Sequence, residues 1–177
     1  MNQSIHGIDA LQWIVGASIE GLAVDENPVE EVFAYTAKRG HDEDLIEVED
    51  TAVACLRFRN GAIGQILGAT SMYPGNNRRT MIAGRDGTAI IEEEALLAFD
   101  FRKELPEDKK LLEQYRAKTD TDNTGASDPL AIGHAGHTAN LKAFLEALDS
   151  GKTPTIDGVQ SRKAVAIIQA IYESSNQ

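Results

Sequence analysis

Cysteine is almost missing from this chain. Cys55 is the only one in 177 residues, so no internal disulfide can form. It lies in the alternating run TAVACLRF and reads as a buried core residue of a cytoplasmic protein rather than a nucleophile. Cations are scarce too: 17 Lys and Arg face 28 Asp and Glu, for a net charge of -11. That excludes nonspecific DNA or RNA binding, which runs on clustered Lys and Arg. It leaves room for a nucleotide-sized ligand held by one or two arginines. No apolar run approaches the roughly 18 residues of a membrane span. The N-terminus has no basic and apolar leader, so the expected location is the cytoplasm. Gly-x-Gly occurs nowhere, and neither does a P-loop. The chain therefore lacks the usual sequence means of holding NAD or ATP alone.

What is present suits a soluble globular protein, with 42% hydrophobic and 25% charged residues. The length predicts one domain over 1–177, large enough to bury a core without disulfides or metals. Residues 4–16 read as a helix ending near Gly16, and residues 17–28 as helix extension or loop. VEEVFAYTA (29–37) reads as a strand. TAVACLRF (51–58) and AIGQILGAT (62–70) flank Asn60-Gly61, the strongest hairpin signal in the chain. SMYPGNN is a loop, and three further strand candidates follow it. Helices are predicted for PEDKKLLEQYR, HTANLKAFLEALDS and GVQSRKAVAIIQAIYESS; the last has a wide apolar stripe and is mostly buried. Helix, then strands, then helices indicates α+β: a large, open-faced, mainly antiparallel sheet of at least five strands with helices on one face.

Several residue groups could carry chemistry. Asn2, His6, Asp9 and Trp13 follow helical spacing and share one stripe. His6 is the member that exchanges a proton near neutral pH. By pattern alone it fits a structural histidine better than a proton-handling one. Arg78 and Arg79, after a Tyr-Pro-Gly loop, could hold a phosphate or carboxylate, or pair with surface carboxylates. DTDNTG begins like a calcium loop but has Ala131 where the bidentate Glu belongs. His134 and His137 could share a metal, but no third ligand is evident, so no metal site is assigned.

Four stretches carry a family resemblance: NQSIHGIDALQW, VEDTAVACLRFRNGAIGQI, YPGNNRRTMIAGRDGTAIIE and GKTPTIDGVQSRKAVAIIQAIYESS. In this order they resemble the C-terminal domain of the Gfo/Idh/MocA oxidoreductases, the glucose-fructose oxidoreductase and inositol dehydrogenase family. The resemblance spans nearly the whole chain. It implies a missing N-terminal Rossmann domain that binds NAD or NADP and supplies a catalytic lysine, with no cofactor bound by this chain alone. It implies that His6 sits beside the substrate carbinol and helps move its hydroxyl proton. Asn2 matches a position that is often Asp in the family. Asn cannot relay a proton, so its implied role is to position substrate. Tyr73, Arg78, Arg79 and His137 are implied substrate contacts.

The expected function is thus the substrate-binding and oligomerisation half of a dehydrogenase acting on a sugar, sugar nucleotide or polyol. The isolated half is expected to be inactive. It is expected to form a homodimer or homotetramer through the open sheet face. The alternative is a stand-alone, non-catalytic binding or assembly module.

Overall fold

The structure, a computed structural model, describes residue 1 and residues 4–42, 44–93, 95–116 and 135–176. The calcium-like loop at 120–131, His134 and Asn2 lie outside the described residues. The chain groups into two compact units, Met1–Met72 with Gly133–Gln177, and Tyr73–Ile132.

The first unit holds helix α1 (Ile5–Gly16), strands β1 (Val29–Ala37), β2 (Thr51–Phe58) and β3 (Ile63–Ala69), and two further helices. The strands form an antiparallel sheet in the order β1-β2-β3. Arg59 to Ala62 close the β2–β3 hairpin, with Gly61 at φ 82° and its N–H bonded to the Phe58 carbonyl at 2.8 Å. That left-handed backbone is what glycine provides at low cost. Strand alternation sorts the residues into two faces. Ala34, Ala54 and Ile66 lie in one row across the sheet, with Leu56 in the next row on the same face. They pack with Ile8 of α1 and with Ala164, Ile167 and Ile171 of the last helix, forming one hydrophobic core. The small side chains of Ala34, Ala54 and Ala164 leave room for that helix to lie close on the sheet.

The opposite face has no helix over it among the described residues. It carries Tyr35, Val53 and Leu67 in one row and Phe33, Cys55 and Gln65 in the next. Phe33 and Tyr35 meet edge to face, with centroids 5.2 Å apart. Cys55 is exposed here, which corrects its reading as core. The reason is parity. Ala52, Ala54, Leu56 and Phe58 are the buried members of β2, so the odd positions point the other way.

The second unit is an antiparallel meander of β4 (Arg79–Ala83), β5 (Gly87–Glu92) and β6 (Ala95–Phe101), with helix α2 (Pro106–Tyr115) against β6. Gly87 is required by close approach: a Cβ there would stand 2.2 Å from the Phe101 ring and 2.8 Å from the Asp100 carbonyl. Helix α2 starts at Pro106, and Asp108 Oδ2 accepts the Leu105 N–H at 2.7 Å. The fold is α+β with antiparallel strands, as the sequence predicts. The six described strands divide into two three-stranded sheets, each with its own ladder, because the polar Pro-Gly segment between β3 and β4 interrupts the pairing.

The remaining helices are α3 (Ala135–Ser150) and α4 (Gly158–Ser175), both in the first unit. Gly151, at φ 64°, ends α3, and Asp157 caps α4 by accepting the Gln160 N–H at 2.9 Å. The stripe of α4 is buried at Ala164, Ile167 and Ile171, while Leu141, Phe144, Leu145 and Leu148 of α3 are exposed.

Candidate functional site

His6 is the second residue of α1 and faces solvent. Among the described residues it has neither a hydrogen bond nor an ion pair, so no structural partner occupies its ring nitrogens. The opening stripe divides. Trp13 shares the exposed side with His6, whereas Asp9 is half-buried and accepts the Gln12 amide at 3.0 Å.

The chain entering α1 is anchored from below. The Glu49 carboxylate takes both the Met1 amino group and the Tyr172 hydroxyl, the latter at 2.8 Å. Burial alone would push the Glu49 carboxyl up. The two hydrogen bonds outweigh it and leave the group below the ordinary carboxylate range. Tyr172 is pushed up to about 12, first by burial, then by its hydrogen bond to Glu49 and by that group's charge. The next residue, Asp50, is fully buried and organises the loop after β1. Its Oδ2 accepts the backbone N–H groups of Arg39, Gly40 and His41 at 2.9, 2.7 and 3.1 Å, and Thr51 Oγ1 donates to its Oδ1 at 3.0 Å. Burial opposes its ionisation, but these donors prevail and hold its carboxyl at about 2. Neither acid stands out in the sequence, where each is one of several in the stretch 42–50. Tyr172 was hidden within an apolar helical stripe. A buried acid beside a strand start has no sequence pattern that separates it from a surface one.

The second unit carries Tyr73, Arg78 and Arg79. Tyr73 is 97% exposed. The two arginines stand at the mouth of the β4–β5 hairpin, each beside a carboxylate. Arg78 pairs with Glu93 at 3.5 Å, and Arg79 lies 4.0 Å from Glu92, its partner in the register. A polar cavity of about 410 Å³ adjoins them, lined by Gly75, Asn76, Asn77, Arg79 and Glu92. His137 is exposed on α3. The structure therefore brings Arg78 and Arg79 to one hairpin edge and sets His6 and His137 on different helices of the other unit.

No group of three or more His, Cys, Asp or Glu is placed to hold a metal among the described residues. Helices α2 and α4 begin under the carboxylates of Asp108 and Asp157, which suits neither N-terminus to a dinucleotide's pyrophosphate. Among the described residues, no helix is long and apolar enough to cross a membrane.

Solved structures share this fold. The WlbA dehydrogenase from Bordetella pertussis, in complex with NADH and UDP-GlcNAcA, is 29% identical with a TM-score of 0.72; the match covers 99% of this chain and 45% of that one. The WlbA enzyme from Chromobacterium violaceum is 24% identical with a TM-score of 0.69, covering 99% and 43%. An aldose-aldose oxidoreductase from Caulobacter crescentus, complexed with glycerol, is 22% identical with a TM-score of 0.65, covering 98% and 44%. The chain thus spans less than half the length of each. The model of the oxidoreductase family's C-terminal alpha/beta domain matches residues 1–177. This chain belongs to the Gfo/Idh/MocA oxidoreductase family, as its C-terminal domain.

Proposed function

We propose that this chain is the substrate-side and assembly domain of an NAD(P)-dependent dehydrogenase acting on a hydroxyl of a sugar, sugar nucleotide or polyol. The observation that carries this reading is His6, exposed and without a partner among the described residues, at the start of α1 in a chain of this family. NAD or NADP, held mainly by an N-terminal domain, would supply the hydride-acceptor chemistry. In this reading His6 takes the hydroxyl proton on a ring nitrogen as the carbinol is oxidised and returns it in reverse. Asn2 positions the hydroxyl. Tyr73, Arg78, Arg79 and His137 contact the rest of the substrate. An anionic substrate group would take over Arg79 from Glu92, whose separation of 4.0 Å makes a weak pair. The WlbA complexes with UDP-GlcNAcA support a sugar-nucleotide substrate over a plain polyol.

Residues 1–177 act as one substrate-binding and oligomerisation domain, whose partners are the N-terminal domain and further copies of itself. The apolar face of Phe33, Tyr35, Val53, Ile63 and Leu67 supports dimer or tetramer formation through the sheet. The exposed thiol of Cys55 suits a reducing cytoplasm.

The test is kinetic. The 177-residue chain with NAD(P)H and a sugar panel should give no turnover. In the two-domain protein, His6→Ala should lower kcat with folding intact. An unchanged kcat would favour the alternative, a non-catalytic assembly module.

A further inference from the structure

Lys163 is the one buried Lys or Arg among the described residues, at 7% exposure. Its backbone carbonyl accepts the Asn27 amide at 3.0 Å, but its ammonium has no hydrogen bond or ion pair among the described residues. Burying a charge without a counter-charge is costly. No described side-chain nitrogen or oxygen is both sealed and unpartnered, so the ammonium keeps some open surface. Lys163 also lines a cavity of about 260 Å³, walled by the C-terminal half of α1, the loop at 17–28 and the first turns of α4.

That cavity is amphiphilic. Lys163 and the buried Gln12 line it together with Trp13, Leu22, Val24 and Pro28. Its loop wall is tied in place on several sides. Gln160 donates to the Val24 carbonyl at 3.4 Å, Arg162 to Asp25 at 3.3 Å, and Arg59 to Asn27 at 2.9 Å. Asp9, the nearby acid of α1, is engaged by the Gln12 amide and makes no ion pair with Lys163. Trp13, 64% exposed, offers an indole surface at the rim.

We propose that this cavity binds a small organic anion with a flat apolar body, its carboxylate on the Lys163 ammonium and its body against Trp13, Leu22 and Val24. At about 30 Å³ per water-sized group, the space admits a ligand of roughly nine heavy atoms. It lies at the opposite end of α1 from His6 and does not rest on the dehydrogenase reading.

Trp13 is the only tryptophan, so its emission reports on this cavity alone. The 177-residue chain is titrated with benzoate, and with benzyl alcohol as its neutral counterpart. The expected result is a saturable change in Trp13 emission with benzoate and about tenfold weaker binding of the alcohol, as loss of a charge-assisted contact predicts. Lys163→Met should weaken benzoate by about the same factor. Ala17→Glu places a carboxylate on an exposed lining position and should do likewise, which keeps the test open if Lys163→Met does not fold. No saturable change up to about 10 mM benzoate overturns the proposal. So does equal binding of the alcohol, or undiminished binding in either folded variant.

Discussion

The Tyr172 hydroxyl donates to the Glu49 carboxylate at 2.8 Å, joining the last helix to the strand entry that receives the start of the chain. The two residues are 123 positions apart. Through the Glu49 contact with Met1, the pair ties the final turns of α4 to the chain just ahead of α1 and His6.

Tyr172→Phe keeps the ring and removes this bond. It should cost about 1.5–3 kcal/mol of unfolding free energy, the range for a hydrogen bond to a charged group, measured by urea denaturation. The wild-type chain should show a phenolate absorbance step at about 12 that the variant lacks.

Asp50 predicts acid sensitivity. Its folded carboxyl titrates at about 2, below its ordinary value near 4. The stability it contributes is complete above about pH 4 and is lost as the pH falls from there toward 2, where the folded group takes its proton. Urea midpoints of wild type should fall through this window. Those of Asp50→Asn should start lower and fall less.

Ile171 is fully buried between α4 and the sheet, whereas Val165 on the same helix is 46% exposed. Ile171→Ala should cost about 2–5 kcal/mol. Val165→Ala should stay within about 0.5 kcal/mol, since it empties no core space. Comparable losses for both would contradict the packing described.

His6→Ala should leave the thermal midpoint of the 177-residue chain unchanged, because the ring has no partner to lose among the described residues. In the two-domain protein the same change should lower kcat by about 10²–10⁴, the usual contribution of general acid–base catalysis.

Phe33→Lys combined with Leu67→Lys places two charges on the open sheet face without touching the core. Sedimentation should show wild type as a dimer or tetramer and the double variant as a monomer. A wild-type monomer at micromolar concentration would remove the sheet-face assembly.

Most elements of the fold could be read directly. The Asn60-Gly61 hairpin, the alternating β2 and the apolar stripe of α4 are local signals, carried by residues within a turn or two of one another. The site was legible only in part. The sequence singled out His6 and the paired arginines. Whether the arginines were free depended on Glu92 and Glu93, which the β4–β5 register brings alongside them. Glu49, Asp50 and Lys163 were unremarkable as letters, because burial of a charged side chain follows from what folds over it.

The sequence by itself determined the α+β class, the hairpin positions, the net charge of -11 and the family. Periodicity, turn chemistry and motif order are all properties of neighbours along the chain. The tertiary structure alone decided that Cys55 faces outward, that the strands divide into two ladders, and that Glu49 meets Tyr172. Each of those depends on strand parity or on contacts between distant segments. The free energy of burying a group is set by what packs against it, which no local window of sequence contains.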